Sequence, residues 1–142
     1  MTQIDFYVLT AAASHQGRAR FACRLAEKAW KKGYRVFIHT SSEFEAQQLD
    51  DLLWTFRAES FVPHAIATDP RDAALPVLVG TGSEPALPLD LLVNLSDTVP
   101  AYFQRFARLA EIVEPNDTQR EIARSRYRHY REQGCRLRSH NV

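Results

Sequence analysis

Residues 4–9, IDFYVL, and residues 35–39, RVFIH, are short runs of β-branched and aromatic side chains, and each is followed by a stretch with helical spacing. After the first run, Phe21, Ala22, Leu25, Ala26, Ala29 and Trp30 share one side of a helix over residues 14–32, which Gly33 stops. After the second, Ser41, Ser42 and Glu45 open another helix carrying Phe44, Leu49, Leu52, Leu53 and Trp54. This alternation with short joints narrows the fold most, because consecutive strands joined through helices tend to lie parallel. It predicts an α/β fold: an open, mostly parallel sheet with helices on both faces. Residues 57–64 follow the second helix, and residues 69–72 form a polar turn around Pro70. Residues 75–79 and 89–95 are apolar runs of strand length, separated by the Gly/Pro-rich GTGSEPALP. Residues 99–108 read as a third helix with Tyr102, Phe103 and Phe106 inward, 110–113 as a last central strand, and 135–139 as a short edge strand. At 142 residues, the chain has the size of one domain, spanning 1–142.

The stretch Asn116 to Gly134 stands apart. It predicts one helix, opened by Thr118 and Glu121 at capping-box spacing after Pro115 and closed by Gly134. With Arg120 at zero, Arg131 falls at about 20°, Arg124 at about 40° and Arg128 at about 80° around its axis. Tyr127 falls at about −20°, with Ala123 and Tyr130 at about −60° and −80°. A basic stripe therefore runs beside an aromatic one. From Thr118 to Arg138 there are seven Arg against two acids, a balance of +5, so a chain of net charge +1 carries −4 elsewhere. A solvated surface is the ordinary reading of such a face. The concentration of charge, and the use of Arg without Lys, instead favour forked recognition of carboxylate or phosphate. The expected partner is anionic.

Several function classes find no support in the residues. The turn after the first strand, TAAASHQGRARF, lacks both the G-x-G-x-x-G and the G-x-x-x-x-G-K-[ST] pattern, so the sheet is Rossmann-like without a nucleotide-binding motif. The five histidines have no zinc-site spacing, and no G-x-S-x-G elbow occurs. Asp50 and Asp51 diverge around a helix and suit its surface, while His64 suits a hydrogen-bonded structural role. No catalytic residue, metal or cofactor is expected. Cys23 and Cys135 form no CxxC pair and fit a reducing cytoplasm. Residues 1–14 lack a basic n-region and are interrupted by Asp5, so no signal peptide is expected, and with no run of 18 apolar residues no membrane association is expected either.

A second feature is LLWTFRAESFVPH, residues 52–64, where Trp54, Phe56 and Phe61 cluster at a helix end and loop. These rings either plug the core or, if exposed, anchor a protein partner.

Together, IDFYVL, LLWTFRAESFVPHAIA, the strand DLLVNL before an aromatic segment, and VEPNDTQREIARSRYRHYREQG resemble the chi subunit of bacterial DNA polymerase III holoenzyme. The resemblance covers nearly the whole chain, and its most specific parts are ESFVPH and the register of Arg124, Tyr127 and Arg128 following Arg120. It implies a non-catalytic subunit attached to the clamp loader of the replicase. Such a subunit would bind the acidic C-terminal tail of single-stranded DNA-binding protein (SSB) and the psi subunit, and would reach DNA only through SSB. By resemblance, Arg120, Arg124, Tyr127 and Arg128 are the tail-binding residues, with Val113 lining the same pocket, and Trp54 and Phe61 face psi. The segment from Glu114 to Arg120 is a residue shorter than the family pattern, which bears on where Val113 falls. From the residues themselves two other classes remain open. The Arg helix can clamp nucleic acid directly, or the sheet can host a small-molecule enzyme.

Overall fold

A computed structural model describes residues 2–10, 17–58, 61–67, 75–81, 85 and 90–142. The first turn expected for the helix at residue 14, the turn around Pro70 and most of the GTGSEPALP segment lie outside the described residues. The elements are β1 (Gln3–Val8), α1 (Gly17–Lys31), β2 (Val36–Thr40), α2 (Glu43–Thr55), β3 (His64–Ile66), β4 (Val77–Thr81), β5 (Leu91–Asn94), a 3-10 turn (Phe103–Arg105), β6 (Arg108–Val113), α3 (Asp117–Glu132) and β7 (Arg136–Asn141). Among the described residues the sheet has the order β3-β4-β2-β5-β6-β1-β7, and every pairing is parallel.

Alternation along the strands sorts side chains into two cores. Val36, Ile38, Val77, Val79, Val93, Ala110 and Ile112 face α1 and α2, which contribute Ala22, Cys23, Ala26, Leu49 and Leu53. Small residues on α1 let that helix approach the sheet closely. Burial pushes the Cys23 thiol up to about 12, so it serves as a packing residue. The opposite core takes Ile4, Phe6, Phe37, Leu78, Leu92, Leu109 and Val113 against Phe103, Phe106 and Tyr130 of α3. Helices therefore cover both faces of an open α/β sheet, as expected. Gly80 is required by close approach, since a Cβ there would lie 2.7 Å from the buried Phe37 ring.

Helix ends follow local chemistry. Gly33 and Gly134 adopt positive φ of 88° and 80°, and in each case the next residue's N–H returns to the last turn, Tyr34 to Ala29 O and Cys135 to Tyr130 O. Ser42 caps α2 by accepting from the Glu45 N–H. At α3 the expected Thr118–Glu121 box does not form. Asn116 caps instead, its Oδ1 accepting from the Gln119 N–H at 2.8 Å.

The expected helix over 99–108 is also absent. Only a short 3-10 turn forms there, with the Arg105 N–H bonded to Tyr102 O and the Phe106 N–H to Phe103 O, before Phe106 returns to extended backbone. Strand pairing wins there. Thr2 Oγ1 donates to Phe106 O, Gln3 N–H to Ala107 O, and β6 begins at Arg108, two residues earlier than the apolar run alone indicates. The aromatic residues still turn inward, with Phe103 and Phe106 buried.

Candidate functional site

A cleft of about 430 Å³ opens between α3 and the β6-β1-β7 side of the sheet. Its lining is mostly apolar: Phe6 and Val8 from β1, Val113 from β6, and Ala123 and Tyr127 from α3. Arg124 and Arg128 form the cationic wall, and Ser139 of β7 closes the remaining side. Phe6 and Val113 are buried, whereas the Tyr127 ring is 38% exposed and lies 5.6 Å from the Phe6 ring between centroids. The result is a hydrophobic recess of the size that small ligands and side chains occupy, flanked by guanidinium groups.

The rotation of α3 on the sheet decides which arginines reach solvent. Glu111 lies on the α3 face of β6 and is 3% exposed, which would be costly without partners. It accepts from Arg126 at 2.7 Å and from Asn94 at 3.0 Å, and the Tyr130 hydroxyl donates to it as well. Arg126 also donates to Ser96 O at 2.9 Å. Burial, and next the Glu111 carboxylate, hold the Tyr130 phenol well above its ordinary range, so it stays a neutral donor. This buried network pins one side of α3 and turns the others outward. Arg120, Arg124, Arg128 and Arg131 are all exposed, and among the described residues none has an ion-pair partner.

Four of the five residues expected at the anionic-tail site, Val113, Arg124, Tyr127 and Arg128, thus line one cleft. Arg120 is exposed on the same helix one turn earlier and is not part of that lining. Sequence reasoning missed Phe6, Val8 and Ser139. Ile4, Phe6 and Val8 do alternate onto one face of β1, but only the β1–β6 and β1–β7 registers bring that face under α3.

The second aromatic cluster is split between core and surface. Phe56 is buried at 3% exposure, while Trp54 and Phe61 are 54% and 62% exposed with ring centroids 5.7 Å apart. His64 packs against Trp54. Its ring lies 4.7 Å from Trp54, while its nitrogens bond to Val62 O at 2.6 Å and to Asp50. That is the structural role expected of it, and it draws Asp50 away from a purely decorative place on the helix. Phe44 lies apart from the core as well, at 71% exposure.

No group of three His, Cys, Asp or Glu able to hold a metal ion occurs among the described residues, and none of their helices is long and apolar enough to cross a membrane.

Comparison of the sequence with known proteins gives matches to one family. The family model for "DNA polymerase III chi subunit, HolC" matches residues 1–138. The chain is 43% identical over 142 residues to DNA polymerase III subunit chi of Pseudomonas aeruginosa, covering 100% of this chain and 98% of that protein. It is 31% identical over 139 residues to the Haemophilus influenzae subunit (97% and 96% covered) and 30% identical over 141 residues to the Escherichia coli subunit (96% of both chains).

Proposed function

The chain belongs to the DNA polymerase III chi subunit family, a replication accessory subunit, and on that premise we propose that it works as a non-catalytic adaptor. As a single unit over residues 1–142, it captures the acidic C-terminal tail of SSB in the α3 cleft. It holds the psi subunit, and through psi the clamp loader, on the Trp54–Phe61 surface, and it meets DNA only through SSB. It acts in the cytoplasm, with no cofactor and no membrane contact.

The observation that carries the reading is the cleft itself, an apolar recess under Tyr127 beside two exposed guanidiniums with no ion-pair partner among the described residues. A peptide that ends in an aromatic residue with a free carboxylate, preceded by acids, matches both halves. The ring enters the recess, and the carboxylates meet Arg124 and Arg128, with Arg120 continuing the charge along the helix. Burying a phenyl ring contributes about 1.5–3 kcal/mol and each exposed ion pair about 0–1 kcal/mol. These contributions reach about 6 kcal/mol at most, and the cost of ordering a flexible tail reduces them, so weak, reversible binding follows. Binding should weaken with salt, because the ionic part lies at the surface.

The test is a titration with three ligands: the tail peptide, the same peptide without its terminal aromatic residue, and single-stranded DNA. The expected order is intact peptide well ahead of both others. Equal binding of the two peptides, or tighter binding of DNA than of the intact tail, contradicts the reading and favours the arginine helix as a direct nucleic-acid clamp.

For the second surface, Phe61→Ala is expected to cost the fold within about 0.5 kcal/mol, since the ring is already exposed. The same variant should weaken capture of psi at least about tenfold, as loss of an aromatic anchor does. Tail affinity should be unchanged. Loss of both partners together would mean that Phe61 supports the whole domain.

A further inference from the structure

β7 is the last strand of the sheet, and its outer side has no neighbour among the described residues. Which backbone groups it leaves open follows from the ladder. The Val142 N–H bonds to Val8 O at 3.0 Å, and Val142 O accepts from the Thr10 N–H at 2.8 Å. Stepping back by two along a parallel pair, His140, Arg138 and Arg136 bond to β1 in the same way. The N–H and C=O groups of Leu137, Ser139 and Asn141 therefore point away from the sheet.

Three further facts make this edge distinctive. Arg136 and Arg138 are exposed, and neither has an ion-pair partner among the described residues. The strand RLRSHN contains no acid. Ser139, in its second half, also lines the α3 cleft, so the open edge and the recess share a border. Arginine on an edge strand ordinarily serves to discourage pairing with other chains. That explanation does not account for an edge that leads straight into an apolar cleft flanked by two more cations.

We propose that the outer edge of β7 is a second subsite for an acidic extended peptide, which adds to the sheet as an eighth strand while its end occupies the cleft. The backbone of the peptide exchanges hydrogen bonds with Leu137, Ser139 and Asn141. Its side chains alternate between the two faces. Those on the α3 face run toward the recess, and carboxylates on the other face meet Arg136 and Arg138, which share that face with Asp5 and Tyr7 of β1. The inference rests on the cleft reading and adds to it. The recess recognises the end of the peptide, and the edge recognises an acidic run upstream without a demand for particular side-chain shapes.

The experiment uses the full chain and two peptides with the same aromatic carboxyl terminus. One is long enough to span the six residues of β7, and the other is limited to the last few residues. Amide hydrogen exchange is followed alongside affinity. The long peptide is expected to slow exchange at Leu137, Ser139 and Asn141, whereas the short one leaves Leu137 and Asn141 unchanged. The paired substitution Arg136→Gln with Arg138→Gln is expected to weaken the long peptide about fivefold, the worth of two exposed ion pairs, and to leave the short peptide within about twofold. Exchange at Leu137 and Asn141 separates strand addition from general electrostatic attraction, which would change affinity without protecting those amides.

Each outcome decides something. A short peptide that binds, with a long one that adds no protection, overturns the edge subsite and leaves the cleft standing. A short peptide that fails to bind, while the long one protects β7, overturns the cleft and leaves the edge. Failure of both peptides removes both subsites.

Discussion

Replacing Glu111 with alanine is expected to destabilise the chain by about 3–5 kcal/mol, the loss that follows when one member of a buried ion pair is removed. The substitution strands three groups at once. Arg126 loses its carboxylate, the Asn94 amide loses one acceptor, and the Tyr130 hydroxyl, on a fully buried ring, loses the carboxylate to which it donates. The urea midpoint should fall by about 2 M, given the usual slope for a domain of this size. Arg131→Ala serves as the control, because Arg131 is exposed and has no ion-pair partner among the described residues, and a change within about 0.5 kcal/mol is expected. A second comparison isolates the reason for the loss. Replacing Glu111 and Arg126 together with leucine and methionine should recover much of the stability, since neither buried charge then lacks a partner. If Glu111→Ala costs no more than the Arg131 control, the network is not what seats α3 on the sheet.

Replacing Arg124 and Arg128 together with alanine is expected to reduce affinity for an acidic, aromatic-ended peptide by about 2 kcal/mol, near thirtyfold. Each guanidinium contributes about 1 kcal/mol, between a free surface pair and a charge-assisted hydrogen bond. Both residues line the cleft and both are exposed, so unfolding free energy should stay within about 0.5 kcal/mol. The double variant should also show a shallower dependence on salt, as the screened part of the interaction has been removed. Tyr127→Ala should act differently. It opens the apolar wall opposite Phe6, so affinity falls with little change in the salt dependence. Unchanged affinity in the double variant would remove the basic face from any role in peptide capture. Unfolding of the double variant would mean that those arginines support the helix rather than a ligand.

Much of the architecture was legible because it is written in local periods. The two strand-helix units, the stops at Gly33 and Gly134 and the Ser42 cap each depend on a few neighbouring residues, and each formed as expected. Segment 99–108 failed for a non-local reason. Its aromatic spacing suited a helix, but β1 claimed the backbone from Ala107 onward and left room for a single turn.

The same division runs through the cleft. The helical wheel placed Arg124, Tyr127 and Arg128 together, and they do share a wall. By that count Arg126 lies away from the stripe, but nothing near it in the chain names its partner fifteen residues earlier. A signal was nonetheless present, since Glu111 interrupts the otherwise apolar strand LAEIV, and a carboxylate in a central strand demands a partner. Phe6, Val8 and Ser139 had no comparable signal. They reach the cleft through strand register, which joins positions far apart in the chain.

Where the acidic peptide sits matters most, and amide shift mapping of the isotope-labelled protein tests it directly. On addition of the tail peptide, the largest changes are expected at Val8, Ala123, Tyr127, Arg128 and Ser139, with Trp54 and Phe61 unmoved. Changes centred on Trp54 and Phe61, or on the far face of the sheet around α1, would contradict capture in the α3 cleft.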